Sequence, residues 1–244
     1  MKPVSMVKTM VKWAFHTIGM DIVRWKNNPE ITLLGLNNSH FRTVIDVGAN
    51  TGQFASRISG FFPNANIYCF EPLPDPFAVL ETWSKKTNGR VTPFNMAIGD
   101  KEGEVEMFLH EDHSPSSSML TTTKLTEEYY PFTKSQRRIR VKQSKLDVAL
   151  VDARIELVPK TLIKMDVQGY EDRVLAGGAN TFAEASACVL EVCLDRLYED
   201  QATFKELLML LDSYRYRYVG NLEQSYADDG HVIYIDAVFL KKPE

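Results

Sequence analysis

The sequence predicts an α/β fold, a mostly parallel sheet with helices on both faces. Three observations carry that prediction. From residue 43 onward, short apolar runs alternate with helical patterns. Parallel strands demand this, because each crossover between them needs a helix or something equally long. The first run, Thr43-Val-Ile-Asp-Val47, enters a glycine turn, Gly48-Ala-Asn-Thr-Gly52. The second ends on an acid, in Tyr68-Cys-Phe-Glu-Pro72. With 244 residues, 44% of them hydrophobic and 25% charged, the chain can fill the core of one such domain.

Residues 1–42 are expected to form a helical extension packed on the core. Within 4–27, Val7, Val11, Phe15, Ile18 and Ile22 recur at helical spacing. That stripe could instead shape a substrate entrance or a homo-oligomer contact. The domain proper spans 43–244. Strands are predicted at 43–48, 66–71 and 90–96, with helices near 52–60 and 75–86. After an insertion come strands at 161–167 and 187–192 and helices near 169–182 and 201–213. The last two strands, 215–221 and 232–241, have no helix between them, so they should form an antiparallel pair at the sheet edge. The insertion covers about 99–146. In it, Glu104-Val-Glu-Met-Phe-Leu109 and Arg138-Ile-Arg-Val-Lys142 alternate like strands and flank a Ser/Thr-rich loop. A polar loop of that length in a compact domain is usually functional.

The net charge of −4 and a pI near 5.8 offer no general attraction to nucleic acid or to an anionic membrane. No apolar run reaches membrane-spanning length. Cys69, Cys188 and Cys193 lie in apolar strand-like runs and read as buried thiols, which points to the cytoplasm. Histidines at 16, 40, 110, 113 and 231 lack zinc-ligand spacing. His113, in the polar loop, is a candidate mobile base or a plain surface residue. The run Tyr214-Arg-Tyr-Arg-Tyr218 reads as an edge strand with a solvated basic face rather than a nucleic-acid platform.

The first turn holds Asp46, Gly48, Asn50 and Gly52, with Phe54 following. Glycines allow a tight turn and close backbone approach. A carboxylate and an asparagine suit a cationic ligand without phosphates, and S-adenosylmethionine (SAM) fits where NAD and ATP fit poorly. Asp46 could face the ligand's ammonium directly or through water, and Asn50 its amino-acid part. Glu71, before the strand-ending Pro72, is the expected acceptor for a ribose diol. Asn95 and Ala97, after the third strand, border the same crevice and could meet adenine. Lys164 and Asp166 share a side-chain parity in an otherwise apolar central strand. They could form a structural ion pair, or Asp166 could stand beside the reacting methyl. Glu191 ends the next strand. Asp166 and Glu191 together could supply a general base or two ligands for a divalent cation.

These residues resemble the FkbM-type SAM-dependent methyltransferases over roughly 43–241. The resemblance is carried by Asp46-Val-Gly-Ala-Asn-Thr-Gly52, Phe70-Glu-Pro72, Ala97-Ile-Gly-Asp100, Ser116-Ser-Ser118, Lys145-Leu-Asp147, Ile163-Lys-Met-Asp-Val-Gln-Gly-Tyr-Glu171 and Val174-Leu-Ala-Gly177. It implies a Rossmann-like class I methyltransferase sheet of seven strands, the last antiparallel. It also implies methyl transfer from SAM to a hydroxyl oxygen, with S-adenosyl-L-homocysteine as product. Ser117 joins the expected cofactor contacts on this ground. Acceptors in such a family are sugars of glycans or secondary metabolites, without nucleic acid. The expected enzyme is thus an O-methyltransferase with Asp166 or Glu191 as base, Lys164 holding that carboxylate, and the serine loop as a lid. The alternatives are a magnesium-assisted O-methyltransferase and a SAM-binding module without catalysis.

Overall fold

The computed structural model describes residues 3–20, 22, 28–158 and 160–243. In chain order the first elements are α1 (Pro3–His16), α2 (Pro29–Thr32), β1 (Thr43–Val47), α3 (Gln53–Phe61), β2 (Asn66–Phe70), α4 (Pro74–Ser84), β3 (Val91–Phe94), β4 (Ala97–Ile98) and β5 (Gly103–Leu109). Next are α5 (Lys124–Tyr129), β6 (Arg137–Ser144), α6 (Leu146–Asp152), β7 (Thr161–Met165), α7 (Glu171–Gly177), α8 (Ala179–Glu184), β8 (Ala187–Cys193), α9 (Phe204–Ser213), β9 (Tyr216–Tyr226) and β10 (Val232–Lys241).

The main sheet runs β3-β2-β1-β7-β8-β10-β9. All pairs from β3 to β8 are parallel, and β10 is antiparallel to both its neighbours. The chain therefore leaves β9 at the edge and returns through β10, which inserts between β9 and β8. The expected antiparallel pair is present, but only β9 occupies the edge. Strand alternation sends neighbouring residues into two cores. Ile45, Val47, Ile163 and Met165 pack with Val174, Phe182 and Leu207 of the helices on one face. Val44, Ile67, Cys69 and Leu162 pack with Ala55, Ile58 and Leu80 on the other. β1 and β7 are buried along their whole lengths. Their register sets Asp46 beside Lys164, so a charged pair of positions sits at the centre of an apolar sheet.

The segment after β3 builds a second, three-stranded sheet, β4-β6-β5. β5 and β6 pair antiparallel from Gly103↔Gln143 to Leu109↔Arg137, and residues 110–136 bulge from the end of this hairpin. Glycines join the small sheet to the main fold: a Cβ on Gly177 would lie 1.9 Å from the Gly99 carbonyl oxygen. The same seam explains why the predicted 169–182 helix is broken into α7 and α8. Asp147 caps α8, accepting from the backbone N–H groups of Asn180 and Thr181 at 3.0 and 2.9 Å. α9 begins at Phe204 on a Thr203/Glu206 capping box.

The N-terminal expectation needs correction. α1 ends at His16, and Val11, Phe15 and Ile18 of the stripe are 43%, 36% and 67% exposed. A stripe packed on the domain would be covered; this one is not. Leu33, Leu36 and Phe41, closer to β1, fill the core there instead. Ile22 is half-buried. The Val7 side chain and residues 23–27 lie outside the described residues. The tyrosine run is structural at its centre, because Tyr216 is buried and donates to the Phe182 and Ala185 carbonyls. All three cysteines are free and buried. Among the described residues, no helix is long and apolar enough to cross a membrane.

Candidate active site

The carboxyl ends of β1, β2 and β7 meet at a cleft. Gly48, at φ 79°, ends β1 so close to β7 that a Cβ would fall 1.9 Å from the Asp166 carbonyl oxygen. Any side chain here would drive the strand ends apart. The N–H groups of Gly48 and Ala49 both donate to the Phe70 carbonyl at 3.0 Å, which ties the turn to β2. Asn50 takes a left-handed conformation, which asparagine tolerates. This turns its N–H onto Glu71 Oε2 at 2.8 Å, while Leu73 N–H donates to Oε1 at 2.7 Å. Each Glu71 oxygen therefore has one backbone donor and further accepting capacity. Burial pushes the Glu71 carboxyl up to about 7, against the opposing pull of those two amides.

Gly48, Asn50, Glu71, Pro72, Ala97 and Ser117 line this cleft, with apolar walls from Phe70, Ile98, Met107 and Met119. No lysine or arginine is in the lining. An apolar slot with a carboxylate acceptor at its side and no cation suits a nucleoside that lacks phosphates. The Asn50 side chain donates to Ser114 Oγ at 3.2 Å, so the serine loop reaches across the cleft to the glycine turn.

Four predicted cofactor residues stand outside the lining. Asp46 is fully buried behind the turn, with the Ala55 backbone and the Lys164 charge acting on its carboxyl. Burial holds its carboxyl at about 6, with Lys164 opposing. Gly52 starts α3, and a Cβ there would meet Leu80 and Trp83 of α4 at 3.0 and 3.3 Å; its role is helix packing. The Phe54 ring lies 5.8 Å from the Lys164 ammonium, beneath the sheet charge rather than in the cleft. Asn95 donates its amide to the Glu71 and Pro72 carbonyls at 2.9 and 3.2 Å, bracing the turn that presents Glu71.

The second centre begins at Asp166. Lys164 Nζ donates to Asp166 Oδ2 at 2.7 Å. Burial pulls the Lys164 pKa down, but Asp166, Asp46 and Asp236 outweigh it and the ammonium is held firmly charged. One side chain then joins the two carboxylates. Gln168 Nε2 donates to Asp166 Oδ1 at 2.7 Å and to Glu191 Oε1 at 2.5 Å. Both amide hydrogens are used, and Gln168 Oε1 accepts from the Tyr198 hydroxyl at 2.5 Å. Ser118 Oγ donates to the Gln168 carbonyl at 2.7 Å. Glu171 is not an ion-pair partner of Lys164; it accepts from the N–H groups of Val167 and Gly169 and so shapes the loop holding Gln168. Burial, then Asp166 and Asp236, push the Glu191 carboxyl well above the usual carboxylate range. Asp166 and Glu191 thus converge, with an amide rather than open space between the bonded oxygens. Among the described residues no group of three or more His, Cys, Asp or Glu is arranged to hold a metal ion.

Gln168 and Tyr198 carry no role in the sequence reading. Gln168 shares the parity of Lys164 and Asp166, which was a usable signal; Tyr198 comes from a distant segment and had none. Both line a second cleft, with Asp166, Glu191, Tyr130, Phe132, Tyr234 and His113 among its walls. Asp166, Gln168 and Pro115 belong to both clefts. The serine loop is the partition between them. Ser114 and Ser117 line the first cleft, and His113 and Ser116 line the second.

Comparison with known proteins identifies the family. Residues 46–218 match the Methyltransferase FkbM domain. The chain is 30% identical over 179 residues to 2-O-methyltransferase NoeI of Sinorhizobium fredii, covering 70% of this chain and 71% of that protein. It is 28% identical over 148 residues to hexuronic acid methyltransferase AglP of Haloferax volcanii, covering 60% of this chain but only 54% of the other. The crystal structure of methyltransferase FkbM from Methylobacillus flagellatus superposes with a TM-score of 0.52 at 15% identity, covering 82% of this chain and 44% of that one. That last likeness concerns the fold alone. With a domain match over most of its length and a relative at this identity, the chain belongs to the FkbM methyltransferase family and is a SAM-dependent methyltransferase.

Proposed function

We propose that this enzyme methylates a hydroxyl oxygen of a sugar. One observation carries the reading: the two clefts meet at Asp166 and Gln168, and a carboxylate, Glu191, lines only the cleft away from the glycine turn. One cleft then serves the donor and the other the acceptor. The relatives named as a 2-O-methyltransferase and a hexuronic acid methyltransferase support a sugar hydroxyl as the acceptor.

In the donor cleft, Glu71 would accept from the ribose hydroxyls. Gly48 and Asn50 would border the amino-acid part, and Pro72, Ala97 and Ser117 the base. Asp46, buried behind the turn, would favour the cationic donor through its field. SAM supplies an electrophilic methyl on a sulfonium, and S-adenosyl-L-homocysteine leaves. The enzyme's own work is alignment and proton removal. As the new C–O bond forms and the C–S pair returns to sulfur, the hydroxyl proton passes to Glu191. Gln168 holds Glu191 and Asp166 at fixed separation, and Lys164 holds Asp166 from the other side. Asp166, at the junction of the two clefts, would stand beside the reacting methyl.

A transfer assay with tritium-labelled SAM tests this on methyl pyranosides, oligosaccharides, small polyols and phenols. Alkali-stable label on a sugar oxygen, retained in EDTA, is the expected result. Label only on a non-sugar acceptor would reject the reading.

A further inference from the structure

We infer that the second cleft is a sugar-ring subsite for an uncharged pyranose, and that it discriminates against uronates and phosphorylated sugars. The inference rests on the sugar-hydroxyl reading above and goes further, to the charge of the ring accepted.

Two features of the cleft lead there. The first is an aromatic shelf on the insertion. The His113 and Phe132 ring centroids are 4.7 Å apart, and those of Tyr130 and Phe132 are 5.8 Å apart. Phe132 is 37% exposed although it is large and apolar. A pyranose has one face of C–H bonds, slightly positive, which suits the negative face of an aromatic ring. Tyr198 and Tyr234 also line the cleft. A polyol with one apolar face and a polar rim matches this mixture.

The second feature is charge. The lining contains Asp166 and Glu191 but neither lysine nor arginine. His113 is the one basic side chain in it, and its Nδ1 lies 2.9 Å from Ser116 Oγ. Lys164 does not line the cleft and is committed to Asp166. Asp236, opposite Glu191 in register, adds further negative charge behind the cleft. A ring carboxylate or phosphate entering here would face the Asp166 and Glu191 carboxyls with no lysine or arginine in the lining to receive it, and like groups juxtaposed at an interface select against the wrong partner. The lining therefore differs in kind from what an anionic ring needs, namely an arginine fork or a lysine.

The test uses the full chain with tritium-labelled SAM at pH 8 and matched acceptors: methyl glucoside with methyl glucuronoside, and methyl galactoside with methyl galacturonoside. The inference expects kcat/KM for the neutral member of an accepted pair to exceed that for its uronate by about 10-fold or more. Phe132→Ala should raise KM for that neutral glycoside about 10-fold, with Phe132→Tyr restoring most of the loss. The dissociation constant for S-adenosyl-L-homocysteine, measured by calorimetry, should be unchanged in both variants. Equal or better use of the uronate overturns the inference while leaving sugar O-methylation intact. So does a Phe132→Ala enzyme with unaltered KM. Transfer to a non-sugar alcohol and to neither member of any pair overturns both.

Discussion

The two clefts share three residues but are built in different ways. The donor cleft is made by backbone. Its glycine turn hangs on the Phe70 carbonyl, and both oxygens of Glu71 rest on main-chain amides of Asn50 and Leu73. The acceptor cleft is made by side chains. Glu191 and Asp166 are joined through the Gln168 amide, which Tyr198 fixes in turn, and its far wall comes from the insertion. A backbone-built site keeps its shape wherever the strand order is kept. A side-chain site can be respecified by a few substitutions, which is where acceptor choice should reside.

The largest effect should come from the acceptor side. Glu191→Gln keeps shape but removes the base, and general-base catalysis contributes roughly 10²–10⁴-fold. The expected result is a fall in kcat of that order, with S-adenosyl-L-homocysteine binding unchanged by calorimetry. A variant with near-normal kcat would transfer the base role to Asp166. On the donor side, Glu71→Ala should leave the fold intact yet weaken SAM binding. Hydrogen bonds to a charged group contribute about 1.5–3 kcal/mol, so the dissociation constant should rise between about 10- and 150-fold. Equal affinity would remove Glu71 from the ribose and with it the placement of the donor.

The contrast also decides what could be read in advance. Strand alternation, the glycine turn and Glu71 follow from local pattern, because a parallel sheet puts its binding turns at strand ends. Their reasons were less legible. Gly48 is demanded by the Asp166 carbonyl, Gly52 by Leu80 and Trp83, and Gly177 by Gly99. Those contacts join segments far apart in sequence, so a glycine's need can be seen locally while its cause cannot. Asp46 reads like a ligand and is buried behind the turn, since its strand position fixes its face but not what covers it. The acceptor wall was illegible for the same reason. Tyr130 and Phe132 meet Tyr198 and Tyr234 only after the insertion folds over β8 and β10. The stripe of α1 shows the opposite case, a helical period whose members Val11, Phe15 and Ile18 stay exposed.

The backbone-built side makes a prediction about stability. Asp46 sits at about 6 and Glu71 and Glu171 at about 7, all raised by burial. The folded protein therefore binds protons that the unfolded chain releases at ordinary carboxylate values near 4. The stabilisation is complete below those unfolded values and is lost as pH rises through 6 to 7. Scanning calorimetry of the protein without SAM should find Tm lower at pH 8 than at pH 5.5, by a few degrees at about 2–4 °C per kcal/mol. A Tm that climbs over this range would mean these carboxyls ionise freely in the fold.

The smallest effect tests how the side-chain centre is held together. The Gln168 amide spans both carboxylates. Donation to Glu191 favours the charged form, so removing it should raise a pKa that burial has already raised. A base must be deprotonated to act, so kcat/KM should fall as pH drops through that value. In Gln168→Ala the acidic limb of the profile should move to higher pH, and kcat on the plateau should fall about 10-fold, the order expected for a misplaced base rather than a missing one. Gln168→Asn, shorter by one methylene, can reach only one carboxylate and should lie between. A limb that stays in place in Gln168→Ala, with kcat merely reduced, would separate the amide from the base and leave it a brace for the loop that Glu171 and Ser118 already hold.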